Sequence, residues 1–420
     1  MSLLRVNIQR LRQDFEQLAQ IGQTSNGGIN RLALSNEDLQ ARAWFANRIE
    51  DAGFSVHDDD AGNLSGVLNS SSPNAKTLLL GSHLDSVPNG GKYDGAVGIL
   101  SALECLRTLD EARYPLPFHL EVIDFTDDEG CWISLFGSKA LSGKLPSITQ
   151  LERETEDRGA ALRAALTRAG IHPADLHRAK RDPNTLLGYL ELHVEQGARL
   201  YRQQAEIGIV NGIVGRSTFR ISFFGEASHS GTTAIEDRRD ALQGAAFFIT
   251  KAYQTLQPDN EGRIFNCGNI DVSPGAFNII PARATLTVEC RHTHQRGLAD
   301  MESTLIRLAH ESAIAHHLTV NVKKTVHMPA AILSPRLINA IHTACQTLKI
   351  PDPLPMVSYA GHDAQMLSDF IPCGMIFIPS YRGISHNPAE SADWRQIEQG
   401  ANVLLHTILT LADQGGGSPP

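Results

Sequence analysis

Residues 81–95, GSHLDSVPNGGKYDG, set His83, Asp85 and Asp94 in a glycine-rich loop after an apolar run. His83 can ligate a metal through one ring nitrogen while Asp85 orients the other, an arrangement common at zinc. Asp94 stands between Gly91 and Gly95, whose backbones reach geometries other residues avoid. Taken alone, the loop serves equally well as a polar turn with an incidental histidine.

The segment IDFTDDEGCW, residues 123–132, ends an apolar run with Asp127, Asp128 and Glu129 in succession. Burying an ionised carboxylate costs several kcal/mol unless a cation or donors compensate it, on the order of the penalties seen for buried ions. By itself the segment reads as an acidic, solvated turn. His193 in LELHVEQG and His386 in GISHNPAE each follow a strand-like run and have acids and a glycine close by. A lone histidine in such a place is ordinarily a surface or satisfied group, but here the clusters recur at the ends of several strands.

Together, His83, Asp94, Glu129, His193 and His386 offer nitrogen and oxygen ligands suited to zinc, with manganese or cobalt as alternatives. Five ligands suffice for two divalent metal ions when one carboxylate bridges them. Such pairs lie about 3.5–4 Å apart, activate a shared water and polarise a carbonyl. On this reading Glu129 binds metal, Asp128 faces the water and Asp127 shapes the turn. Further on, His229 in GEASHSGTT, with Asn278 and Arg291, could hold an anionic substrate, Arg291 forking onto a carboxylate. The same residues also suit an exposed polar sheet face.

The elements that must position these groups follow a legible order. TLLLGSHLDS and FHLEVIDFTDDEG read as strands, with the helical GAVGILSALECLRTLDEARY between them. That alternation predicts an α/β fold with a largely parallel sheet, whose ligands bind at the carboxyl ends of the strands. A strand is expected at LGYLELHVEQG, and two short helices with a break at Pro173 over residues 151–187. From about residue 212 the pattern alternates apolar and polar, as in GRSTFRISFF and RATLTVECRHTH, which predicts an open antiparallel sheet. Helices are expected near 236–255 and 297–316. After residue 328 the first pattern resumes, with a helix at 335–348 and strands at MVSYAG and GMIFIPS. The reading is an α+β domain, 212–328, inserted into an α/β domain made of 1–211 and 329–420. The tail GGGSPP is expected to be disordered.

Composition excludes several classes. The 420-residue chain is 42% hydrophobic and 20% charged, with net charge −9 and no basic stripe, which argues against nucleic acid as a partner. SLLRVNIQRLRQDFEQLAQIG reads as an amphipathic helix and not as a signal sequence. No window of about 18 uncharged apolar residues predicts a membrane span. The six cysteines lack paired spacing, which suits reduced thiols and a cytoplasmic location.

GSHLDSVPNGGKYDGAVGILSALE, LELHVEQG, HSGTT, NIIP, AGHDAQML and GISHNPAE, in this order over nearly the whole chain, resemble the hydantoinase/carbamoylase branch of the zinc-dependent aminoacylase and carboxypeptidase superfamily. His193 marks that branch, because peptidase relatives usually carry a carboxylate there. The resemblance implies an amidohydrolase for N-carbamoyl-L-amino acids, allantoate or N-carbamoyl-β-alanine that releases ammonia and carbon dioxide. It implies that Asp94 bridges two metals, that His83 and His386 sit with one or the other, and that Glu129 and His193 complete the sites. Asp85 would support the ligands; Gln196, Asn278 and Arg291 would hold substrate. His229 would reach across a homodimer, and the inserted domain would be a dimerisation lid.

Three departures stand out. Asp128 occupies the position where the family usually has a glutamate base, which sets the carboxylate back by one C–C bond, about 1.5 Å. A displacement of that size costs on the order of a hundredfold in rate when nothing compensates. The usual Arg-Phe pair after Gly130 is missing, leaving CWISLFGS about two residues short, and Ala234 replaces a preferred proline. Two other readings therefore stay open: hydrolysis of peptide or N-acyl bonds by the same machinery, and a homologue that binds metal and substrate without turnover.

Overall fold

In a computed structural model of the chain, the structure describes residues 3–154, 159–256 and 262–415. Apart from Gly415, the expected disordered tail lies outside the described residues. The strands, in chain order, are β1 (Ser55–Asp58), β2 (Leu64–Leu68), β3 (Thr77–Ser82), β4 (His119–Asp124), β5 (Leu186–Val194), β6 (Gly208–Ile213) and β7 (Gly215–Phe224). They continue as β8 (Arg263–Ser273), β9 (Arg283–His292), β10 (Thr319–Met328), β11 (Ala331–Ile332), β12 (Leu354–Ser358) and β13 (Cys373–Ile378).

The chain divides into two compact units, one of Met1–Asn211 with Ile332–Pro420, the other Gly212–Ala331. The larger sheet runs in the order β1, β2, β4, β3, β5, β13, β6, β11, with β12 paired to β6. Its centre, β4, β3, β5 and β13, is parallel, whereas the β1–β2, β2–β4 and β13–β6 pairs are antiparallel. This is the α/β architecture expected from the strand–helix alternation, with antiparallel flanks that the alternation did not reveal.

Burial explains the composition of the central strands. All nine residues of β5 are buried, as are five of the six in β3, because helices cover both faces. The helix Ala96–Glu111 is buried along nearly its whole length and packs against β3 and β4 on one side and the helices Ile8–Leu18 and Trp394–Asp413 on the other. Each buried Leu or Ile there contributes about 1.5–3 kcal/mol. Its one fully buried acid, Glu104, is neutralised by Arg10, whose Nε donates to Oε2 at 2.7 Å.

Because β4, β3, β5 and β13 are parallel, their carboxyl ends share one edge. His83 follows β3, residues 127–129 follow β4, His193 closes β5, and the loop carrying His386 follows β13. The second unit is a four-stranded antiparallel sheet, β10, β7, β9, β8, with the helices Ala241–Leu256 and Gln295–Ala315 packed on it. Its core is Phe219, Ile221, Phe223, Leu286, Val288 and their helix neighbours, the inward half of the alternation.

Candidate metal centre and active site

His83, His193 and His386 turn their Nε2 atoms toward one carboxylate, Asp94. His83 Nδ1 lies 3.0 Å from the backbone oxygen of Asp85, and His193 Nδ1 lies 2.9 Å from that of Val194. A carbonyl only accepts, so each Nδ1 carries a proton, and Nε2 is the nitrogen left to ligate once its own proton departs. Those Nε2 atoms face Asp94: His193 at 3.1 Å and His83 at 3.8 Å from Oδ1, with His386 Nε2 at 3.2 Å from Oδ2. Glu129 Oε1 lies 3.5 Å from His386 Nε2.

Two groups of ligand atoms result, His83–Asp94–His193 and Asp94–Glu129–His386, each set within 4.8 Å of one another. They share Asp94, one oxygen turned to each group. Gly95 makes the approach possible. Its φ is 63°, and a Cβ there would stand 2.6 Å from the His83 ring.

Electrostatics show what the site lacks. Burial would keep Asp94 protonated, but its contacts with His193 and His386 outweigh it and hold the carboxyl well below its usual range. Burial lifts Glu129 to about 8, reinforced by Asp94, and lifts Asp128 to about 7. His193 rises to about 9 because Asp94 overcomes its burial; His386 rises to about 9 through Asp94 and Glu129. Glu129 and Asp128 therefore keep their protons more readily than free carboxyls do, for want of positive charge. Asp128 Oδ1 and Gln196 Oε1 are buried and accept no hydrogen bond. Orphaned oxygens and imidazole Nε2 atoms converging on carboxylates, an N/O donor set, fit divalent metal ions.

Asp85 braces the turn after β4. Its Oδ1 and Oδ2 accept the amides of Asp128 and Glu129, each at 3.2 Å, and Oδ1 lies 3.5 Å from His83 Nδ1. Asp127 has φ 54°, and its Oδ2 accepts the amides of Trp132 and Ile133 at 3.0 and 2.7 Å, which shapes the turn. The short loop closes back on this segment: Leu135 N–H and Ser134 Oγ donate to the Asp128 carbonyl at 3.0 and 3.1 Å. Asp128 is thereby fixed, with Oδ2 3.5 Å from His83 Nε2. Gln196, at φ 57°, donates from Nε2 to Asp94 Oδ2 at 2.8 Å, so it touches the centre itself.

The second unit brings His229 and Asn278 together: Ser230 N–H donates to the Asn278 carbonyl at 3.1 Å, and His229 bridges to Ile279. His229 Nδ1 accepts the amides of Gly231 and Thr232, which leaves Nε2 as an exposed donor. Arg291, on β9, donates from Nε to Glu289 at 2.7 Å.

Sequence reasoning overlooked Glu191, His362 and Glu390. Glu191 lies two residues before His193 on β5 and so shares its face; it accepts from Ser82 Oγ at 3.0 Å and from Ala364 N–H at 3.3 Å. His362 stacks edge-on against His193, ring centroids 4.6 Å apart. Glu191, His193 and His362 form a third possible metal group. The Glu191 oxygens in it are already engaged. Period-two spacing from His193 was the available signal for Glu191, and GISHNPAE already contained Glu390.

Residues 79–410 match the model of peptidase family M20/M25/M40. The chain belongs to that family. Within it, this M20 chain falls in the hydantoinase/carbamoylase branch and is a metal-dependent hydrolase. It is 34% identical over 406 residues to an N-carbamoyl-L-amino acid amidohydrolase of Geobacillus stearothermophilus, covering 96% of this chain and 98% of that one. An allantoate amidohydrolase of Bacillus subtilis is 30% identical over 400 residues, 94% of this chain and 96% of the relative. The crystal structure of a hydantoinase/carbamoylase family amidase from Burkholderia multivorans matches with a TM-score of 0.85 at 31% identity, over 97% and 98% of the two chains. Among the described residues, no helix is long and apolar enough to cross a membrane.

Proposed function

We propose that this M20 enzyme is a binuclear amidohydrolase that cleaves the ureido C–N bond of N-carbamoyl-L-amino acids or related ureido acids such as allantoate and N-carbamoyl-β-alanine. The observation that carries this reading is the pair of candidate ligand groups sharing Asp94, with Asp128, whose Oδ1 accepts no hydrogen bond, beside them, in a chain whose near-full-length relatives bear those names. His83, Asp94 and His193 would hold one divalent ion, Asp94, Glu129 and His386 the other, zinc first and manganese or cobalt next. When bound, such ions supply Lewis-acid polarisation and charge stabilisation.

The chain's own residues do the remaining work. Asp128 takes a proton from the attacking water and returns it to the leaving nitrogen, a general base and then a general acid. Water adds to the ureido carbon and the C–N bond to the amino acid breaks. The products are the free amine and carbamate, which decomposes to ammonia and carbon dioxide. Gln196, Asn278 and Arg291 hold the substrate, Arg291 its carboxylate, and His229 donates from Nε2. The reading includes a cytoplasmic homodimer joined through the second unit. The dimer is supported by the resemblance, and the location by the unpaired spacing of the six cysteines.

Hydrolysis of peptide or N-acyl bonds is less favoured, because the relatives matched over most of their length are named as amidohydrolases. A binding protein without turnover is also less favoured, because all five ligand positions are filled and mutually oriented. Offering the metal-loaded protein N-carbamoyl, N-acetyl and dipeptide forms of one amino acid separates these readings. Equal amounts of ammonia and free amino acid from the carbamoyl form alone are expected. Preference for the acetyl or peptide form would overturn the proposal.

A further inference from the structure

We propose that Glu390 is a positioning residue that locks the loop carrying Asp94 to the loop carrying His386, so that both metal positions form as one unit. Glu390 is buried and touches neither metal group as a ligand. Its Oε1 accepts two successive amides, Tyr93 N–H at 2.8 Å and Asp94 N–H at 3.1 Å. Its Oε2 accepts Ser385 Oγ–H at 2.9 Å, one residue before His386. Ser385 has a single hydroxyl proton and lies 3.3 Å from Asp94 Oδ2, so the shorter bond assigns that proton to Glu390.

The two loops come from opposite ends of the sequence, almost 300 residues apart. Among the described residues, the other side-chain contacts between them join proposed ligands directly, His386 to Asp94 at 3.2 Å, or run through Gln196, which touches both. One carboxylate with three donors holds Asp94 in the orientation that turns one oxygen to each group. Outer hydrogen bonds of this kind typically change metal affinity by about 10- to 100-fold.

Gly91 supplies an independent sign of the same device. A Cβ at Gly91 would lie 2.1 Å from both Cδ and Oε1 of Glu390. Gly91 is not among the residues with positive φ, so its backbone makes no demand for glycine. It is glycine because the Glu390 carboxylate fills the space where a methyl would go. The loop and the carboxylate are fitted to each other at a point that no ligand occupies.

The inference rests on the two-metal reading and is independent of which substrate is cleaved. Its test uses the full-length protein, stripped by chelator and titrated with zinc(II) in competition with a chromophoric chelator. Cobalt(II) follows in parallel, its visible absorption reporting ligand geometry, with thermal unfolding of each metal-free variant as the control. Glu390→Ala should weaken binding of both equivalents about 10- to 100-fold and change the cobalt spectrum. Glu390→Gln keeps an acceptor for both amides and should stay close to native. Gly91→Ala should reproduce the loss in the native background and add little on top of Glu390→Ala, where the methyl finds room.

Native protein that binds fewer than two equivalents would refute the two-metal reading. Native protein that binds two, with affinities and cobalt spectra unchanged in Glu390→Ala and Gly91→Ala, would overturn the positioning role. Loss of metal-free stability without loss of metal affinity would also overturn it, since that is the signature of ordinary packing. Additive losses in the double variant would show that Gly91 and Glu390 act separately and would contradict the proposed fit.

Discussion

Asp128 Oδ2 lies 3.5 Å from His83 Nε2, so the carboxylate proposed as base shares an edge of the centre with a proposed ligand. Its other oxygen is buried and accepts no hydrogen bond. The group is held at the backbone and left open at the side chain, as a proton carrier must be. Asp128→Asn keeps the volume and removes the base. Steady-state kinetics should show kcat lower by about 10²- to 10⁴-fold with metal content unchanged. A variant retaining most of its kcat would assign the base elsewhere.

Among the described residues, Asp94 is the one proposed ligand shared by the His83–Asp94–His193 and Asp94–Glu129–His386 groups. Asp94→Asn leaves one coordinating oxygen and removes the charge that binds His193 and His386. Elemental analysis after dialysis should find both equivalents weakened together. Clean loss of one metal with the other retained at native affinity would contradict a bridging role.

Metal uptake should release protons. In the metal-free protein His193 and His386 are raised to about 9, and Glu129 to about 8, so all three hold protons at pH 7. Ligation requires them bare. Protons therefore compete, and affinity for zinc should rise as pH climbs from 6 towards 9. Calorimetry in two buffers of different ionisation enthalpy at pH 7 would measure the release; an enthalpy independent of buffer would contradict it.

Arg291 tests the substrate class. Arg291→Ala should raise KM for ureido acids with little change in kcat, the pattern of lost uniform binding. The corresponding ureido amides, which lack the carboxylate, should be indifferent to the change. Equal losses on both would remove Arg291 from the carboxylate subsite.

Much of this was legible in the residues themselves, for identifiable reasons. β3 and β5 are buried on both faces, so they read as unbroken apolar runs, and their polar clusters fell where parallel strands end. The inward half of β7 alternated as an open antiparallel strand must. The antiparallel pairings of β2 and β6 in the larger sheet were not legible, because a five- or six-residue strand carries no mark of its neighbour's direction. Glu390 was visible and passed over: its role depends on reaching residues 93 and 94, and nothing local announces a contact across almost 300 residues. Asp127 shapes the turn after β4, as its place at the end of an apolar run predicts, with a positive φ and two accepted amides.

Metal titration tests the proposed ureido hydrolysis at a centre of two metals sharing Asp94 most directly. Chelator-treated protein should be titrated with zinc while ammonia release is followed from N-carbamoyl-L-amino acids, allantoate and N-carbamoyl-β-alanine. Release from at least one of them should rise with added zinc and level off at two equivalents per chain. Protein holding two equivalents and releasing no ammonia from any of the three, or activity complete at one equivalent, would contradict it.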